Sequence, residues 1–232
     1  MNKNQNKAIQ KHPVCDVCSE TRASLDASGR DLTWVDAVNL YPAPKECLAA
    51  FLVASAAEVL AGVKPANLIR MLKRELPCGR SVYKLWQRYG AELLEQSQLS
   101  ALELREEDDA LLFLFYRPDL LERRLSGRTM QTFLKRRGYP QALNLETGLE
   151  YLRQAFSHQG SPDEVGMFLG YPLKDVHGFI DQRSPWQGRC LWRIYGPPQR
   201  SLRLYQRYFD ERKALTEKLA TGLRPADLLN AA

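Results

Sequence analysis

Residues 99–117, LSALELREEDDALLFLFYR, decide the fold class. Apolar positions alternate through Leu99, Ala101-Leu102 and Leu104, an acidic connection follows, and an unbroken apolar run extends from Ala110 to Tyr116. Alternation marks a strand with one buried face, and a continuous apolar run marks a strand that lies inside a sheet. So short a polar connection joins them as a β-hairpin.

Working outward, Arg117-Pro118-Asp119 ends the second strand and starts a helix. It runs through Leu121, Leu125, Met130 and Leu134, with a break near Gly127, until Gly138-Tyr139-Pro140 stops it. Upstream, Pro44-Lys45-Glu46 opens a helix expected to end near Gly62, with proline in the first turn and an acid near the positive end of the helix dipole. A second helix is expected over 81–96, where Val82, Leu85, Trp86, Tyr89 and Leu93 recur at steps of three and four. Downstream, the pattern predicts a helix over 145–156, short helices over 165–169 and 175–180, a strand over 190–195 and a long helix over 199–219. No regular βαβ beat appears, so the expected class is α+β. We expect a single domain over 33–232 in which a small, mainly antiparallel sheet of 99–104, 110–116 and 190–195 packs against several helices. Residues 1–32 read as a flexible tail. Gly62-Val63-Lys64-Pro65-Ala66-Asn67-Leu68 resembles Gly222-Leu223-Arg224-Pro225-Ala226-Asp227-Leu228, which reads as shared punctuation between helices.

Bulk composition excludes several classes. The chain of 232 residues is 44% hydrophobic and 26% charged, as in an ordinary globule. Its longest apolar run, Cys47–Val63, is interrupted by Glu58 and falls short of a membrane span. The polar, basic start is no secretory signal, so a cytoplasmic protein is expected. Five cysteines, an odd number, argue against a disulfide framework. The net charge of +6 permits nucleic acid, an anionic membrane or an acidic protein as partner.

Candidate chemistry is sparse. Cys15 and Cys18, two residues apart and near His12, could bind one face of a tetrahedral metal or form a redox dithiol, but no second ligand pair follows. Cys190 lies beside Arg189 and near Arg193, charges that would favour its thiolate; as a strand residue it also reads as core. No phosphate-binding glycine loop occurs. Arg189, Arg193, Arg200, Arg203 and Arg207 alternate with Trp192, Tyr195, Tyr205 and Tyr208, a mixture suited to nucleic acid. The apolar stripe of Leu202, Tyr205, Phe209, Leu215 and Leu219 instead makes the aromatics core and the arginines a wet face, so nucleic acid is not the expected partner.

Residues 164–196, EVGMFLGYPLKDVHGFIDQRSPWQGRCLWRIYG, are dense in glycine, proline and aromatics. Together with AGVKPANL at 61–68, LLFLFYRPDLLERRL at 111–125 and FLKRRGYP at 133–140, they resemble the domain of unknown function 3793 family of anaerobic bacteria. The resemblance implies a compact cytoplasmic protein with no particular reaction, and a genomic setting near flavodoxins or iron-handling genes. Members carry His-Cys-Ala-Pro where this chain has Ser55-Ala56-Ala57-Glu58, so His-Cys chemistry is not expected there. The function expected is that of a binding or accessory protein whose anionic ligand, or acidic redox partner such as a flavodoxin, meets Lys64, Arg117, Tyr171 and Arg193. The rival is a redox or metal-dependent enzyme using Cys15 and Cys18, or Cys190; the sequence names no cofactor.

Overall fold

Chain order and hydrophobic pattern place a sheet between two layers of helices. The computed structural model describes residues 40–75 and 79–230. The predicted hairpin is present as β2 (Ser100–Glu106) and β3 (Ala110–Tyr116). β3 is central, with β1 (Ala66–Leu72) antiparallel on its other side, so the order is β1-β3-β2. The pleat explains the apolar run: Leu111, Phe113 and Phe115 face one layer of helices, and Leu112 and Leu114 face the other.

On the first face lie α1 (Pro44–Ser55), α2 (Ala57–Leu60) and α3 (Val82–Glu95). Ser81 caps α3, its hydroxyl accepting from Lys84 N–H, and Trp86 meets Phe113 and Phe115 edge-on at 5.1 and 5.3 Å. The expected single helix from Pro44 is interrupted at Ala56 and turns out at Gly62 (φ 73°). On the second face lie α4 (Pro118–Leu125), α5 (Arg128–Arg136), α6 (Leu145–Gln159), α7 (Val165–Phe168) and α8 (Leu173–Asp181). The capping box of Asn144 and Thr147 fixes where α6 begins. Two further helices, α9 (Gln199–Ala220) and α10 (Pro225–Asn230), return to the first layer, where Leu219 and Leu229 join its core. The described residues thus form a single α+β domain, and among them no helix is long and apolar enough to cross a membrane.

Three expectations need correction. The third strand of the main sheet is Ala66–Leu72, not 190–195. Pro65 reads as a helix start, yet its carbonyl accepts Arg117 N–H at 3.1 Å and continues the ladder with β3; its fixed φ suits an extended chain as well as a first helical turn. Within 190–195 only Arg193–Ile194 is strand, as β5, and it pairs with β4 (Gly188–Arg189), which precedes the segment, in a separate two-stranded hairpin. Cys190 N–H donates to Trp192 O at 2.9 Å, closing the turn between them, so Cys190 is a half-buried turn residue rather than a strand residue. The similar segments after Gly62 and Gly222 lead to different elements, a strand and a helix; what they share is only a left-handed glycine that ends a helix.

Candidate functional site

The signature segment builds a corner from tight contacts. Gly170 has φ 85°, and a Cβ there would stand 2.7 Å from Pro65 Cδ and from the Tyr208 hydroxyl. A Cβ on Gly178 would lie 2.2 Å from Tyr195 Cγ. Only glycine admits both approaches. Asp175 ties α8 to the β4–β5 hairpin and to α9: 2% exposed, its carboxylate accepts from Trp192 Nε1 (2.7 Å), Tyr195 N (2.9 Å), Ser201 Oγ (2.6 Å) and Lys174 Nζ (2.7 Å). Trp192 in turn stacks on Tyr171, with ring centroids 4.5 Å apart.

A second polar cluster lies under this corner. Glu58, 1% exposed, accepts from Arg212 Nε and Nη2 at 3.0 Å each and from Asn67 Nδ2 at 3.1 Å. Lys64 Nζ donates to Asn67 Oδ1 and lies 5.7 and 5.6 Å from the ring centroids of Tyr171 and Tyr208. Burial brings the Lys64 pKa down to about 8, with Glu58 opposing and Arg212 adding to the shift. Burial likewise pushes the Tyr171 and Tyr208 hydroxyls up to about 12, so both rings stay neutral. The sequence marked Glu58 only as the charge that breaks an apolar run. Its role as the acceptor that offsets the buried Lys64 and the half-buried Arg212 depends on a residue 154 positions away.

Above the corner opens a groove of about 1060 Å³. Its walls are α4 and α5 on one side and α8 and α9 on the other. From α4 and α5 come Arg123, Arg124 and Arg128; from α8, Lys174; from α9, Arg200, Arg203 and Arg207. The steps of three and four along α9 put its arginines on one face. No acidic side chain lines this groove among the described residues. The seven cations divide by partner. Arg124 is committed to backbone, donating to Met167 O at 2.5 Å and Tyr171 O at 2.8 Å, and burial lowers its pKa. Arg123 pairs with Asp119 at 3.0 Å, and Lys174 bonds Asp175 and Tyr195 O. Arg128, Arg200, Arg203 and Arg207 are exposed and form no ion pair within the described residues. The starts of α5 and α8 also border the groove, through Gly127–Met130 and Pro172–Lys174, and neither helix has a side-chain N-cap.

The four residues singled out from sequence fall in different places. Tyr171 lines the groove and Lys64 packs against its ring from below. Arg193 is across the Tyr171–Trp192 stack, over Phe179 at 5.8 Å, where it lines a separate pocket of about 360 Å³ with Tyr171, Leu191 and Trp192. Arg117 lines a third cavity with Glu211 and Lys218 and forks onto Asp119 at 3.1 Å. Thus Lys64 and Tyr171 meet, Arg193 shares Tyr171 from the far side, and Arg117 stands apart. Cys15 and Cys18 lie outside the described residues. Among the described residues no three metal-binding side chains gather, and Cys190 Sγ lies 3.6 Å from Trp192 O.

Residues 52–229 match the family described as protein of unknown function (DUF3793), and the chain belongs to that family. Searches of curated proteins and of solved structures find no match.

Proposed function

We propose that this protein is a binding or accessory protein that holds an anionic ligand in the groove between α4–α5 and α8–α9. One observation carries the reading: among the described residues, seven basic side chains and no acidic one line a single concave surface. The four of them that form no ion pair within the described residues, Arg128, Arg200, Arg203 and Arg207, repel one another, and an anion relieves that repulsion while a concave wall concentrates its field. Tyr171, packed on Trp192 and Lys64, gives the groove a rigid floor.

Titration calorimetry of the full chain with pyrophosphate and with citrate at low ionic strength tests this. Binding is expected for at least one anion, weakening as salt is added. The double variant Arg203→Glu, Arg207→Glu is expected to lose at least about tenfold per arginine, the scale of a charge-assisted hydrogen bond. Arg88→Glu, on α3 at the other face of the sheet, should leave binding unchanged. Affinity that survives reversal of Arg203 and Arg207 refutes the site.

A second reading is favoured by the neighbouring surface, where Phe179 and Leu191 are exposed apolar residues beside Arg193. There an acidic protein such as a flavodoxin could place carboxylates on the arginines and an apolar rim on Phe179 and Leu191. Loss of flavodoxin binding on Leu191→Asp, with pyrophosphate binding intact, would assign the partner to that surface.

A further inference from the structure

Resting on the anion-binding reading above, we infer that the groove takes a small compound bearing two or three adjacent phosphate groups. The free charge sets the number. Of the seven cations, Arg124 is spent on backbone carbonyls and Arg123 and Lys174 on carboxylates, which leaves the guanidinium groups of Arg128, Arg200, Arg203 and Arg207. A terminal phosphate carries about −1.5 to −2 charges at neutral pH and each inner phosphate of a chain about −1, so two or three adjacent phosphates carry roughly −3 to −4 and match four arginines, whereas a single carboxylate does not.

The kind of donor points the same way. Guanidinium forks bind the oxygens of phosphate two at a time, and the arginines lining the groove come from separate elements, Arg128 from α5 and Arg200, Arg203 and Arg207 from α9. Oxygens held between two walls belong to a ligand with acceptors on several sides, as a phosphate chain has and a planar carboxylate lacks. The backbone amides at the starts of α5 and α8 add donors to this arginine cluster. At about 1060 Å³ the groove has room for a phosphate chain with its attached group.

Two other polyanions fit less well. Nucleic acid is held by rings on which bases stack, but Tyr171 is already stacked on Trp192, and Tyr208 is buried with its hydroxyl donating to Gly170 O at 3.2 Å. A membrane surface needs an apolar edge to insert. Among the described residues none of the exposed large apolar side chains, Leu40, Tyr151, Phe179, Leu191 or Leu223, borders this groove.

The test is calorimetry on the full chain at one fixed ionic strength with orthophosphate, pyrophosphate, tripolyphosphate, citrate and a twelve-nucleotide single-stranded DNA. Pyrophosphate and tripolyphosphate are expected to bind at least about tenfold more tightly than either orthophosphate or citrate, and Arg203→Gln or Arg207→Gln to erase that preference while the melting temperature holds. Citrate binding as tightly as tripolyphosphate, with both lost on charge reversal of Arg203 and Arg207, overturns the phosphate inference and leaves the anion groove standing. Orthophosphate equal to pyrophosphate overturns the requirement for adjacent phosphates. DNA binding tighter than tripolyphosphate replaces the small ligand with nucleic acid, and no binding of any anion removes both readings.

Discussion

Replacing Asp175 with alanine tests the claim that one carboxylate joins α8, the β4–β5 hairpin and α9. Four donors converge on it, from Trp192, Tyr195, Ser201 and Lys174. Without the carboxylate they fare differently. The Ser201 hydroxyl can turn to the carbonyl of Pro198 or Pro197, three and four residues back and just ahead of α9. Lys174, half-exposed, keeps Tyr195 O at 2.7 Å and can reach water. The indole N–H of Trp192 and the backbone N–H of Tyr195 have no such escape, since these residues are only 7% and 6% exposed. Two orphaned buried donors at ~1–3 kcal/mol each give a loss of ~2–6 kcal/mol. Asp175→Asn keeps one oxygen. With that oxygen toward Tyr195 N–H and Lys174, the amide opposes the Trp192 N–H, leaving one orphan and a loss of ~1–3 kcal/mol. At roughly 2–4 °C per kcal/mol for a domain of this size, alanine should lower the melting temperature by about 8–16 °C for a central loss of ~4 kcal/mol, and asparagine by about half of that. Urea unfolding followed by far-ultraviolet circular dichroism and tryptophan fluorescence measures both. An asparagine variant as destabilised as the alanine one, or an alanine variant within ~1 kcal/mol of the parent, refutes the donor count.

Two further predictions concern the cluster below the groove. Because burial lowers the Lys64 pKa to about 8, the unfolded chain binds the extra proton between pH 8 and the ordinary value of 10.5, so stability rises with pH across that window. Tyr171 and Tyr208, raised to about 12, act oppositely, holding protons in the fold that the unfolded chain releases above pH 10. The urea midpoint should therefore climb from pH 7.5 to 9.5 and turn down above 10; an equal climb in Lys64→Met would exclude Lys64 as its source. The second prediction is that Arg212→Met, which strands a buried Glu58 carboxylate, costs ~3–5 kcal/mol, and that adding Glu58→Gln recovers part of the loss. Additive losses in this double-mutant cycle would mean that the pair is not coupled.

What the sequence made legible was local. The β2–β3 hairpin, the break at Gly127 between α4 and α5, and the Ser81 start of α3 are each written in neighbouring residues, as alternation, punctuation or a cap. β1 escaped because a strand that begins after a proline has no distinguishing period of its own; its identity comes from pairing Ala66–Leu72 with Tyr116–Ala110 far along the chain. The turn ahead of β5 escaped because the string Cys190–Tyr195 reads the same whether its residues extend or turn, and β4, Gly188–Arg189, carries no apolar pattern of its own. Lys64 was visible as a cation but not as a buried one, since its burial depends on Tyr171 and Tyr208 closing over it from two distant elements. The arginines of α9 were visible as a wet face, whereas their meeting with Arg128 is a product of helix packing alone.

The buried anchors of the signature segment and the cations of the groove lie on different faces of the helices, and that separates what each can do. On α9, Ser201 points inward to Asp175 and the buried Tyr208 reaches Gly170 O at the groove floor, while Arg200 and Arg207, one residue earlier in each case, are exposed groove residues. A step of one residue turns a helix by about 100°, enough to carry a side chain from core to solvent. On α8, Asp175 holds the fold and Lys174 beside it borders the groove. The glycines, Asp175 and Trp192 of the signature thus set where the helices lie, and the charges that recognise a ligand come from their outer faces. Substitutions at the buried anchors Asp175, Gly178 and Trp192 should therefore act on binding only through stability, whereas Arg128, Arg203 and Arg207 should alter binding at constant stability. A scan in which charge changes at those arginines unfold the protein, or in which Asp175 variants bind normally after losing their structure, would break that division.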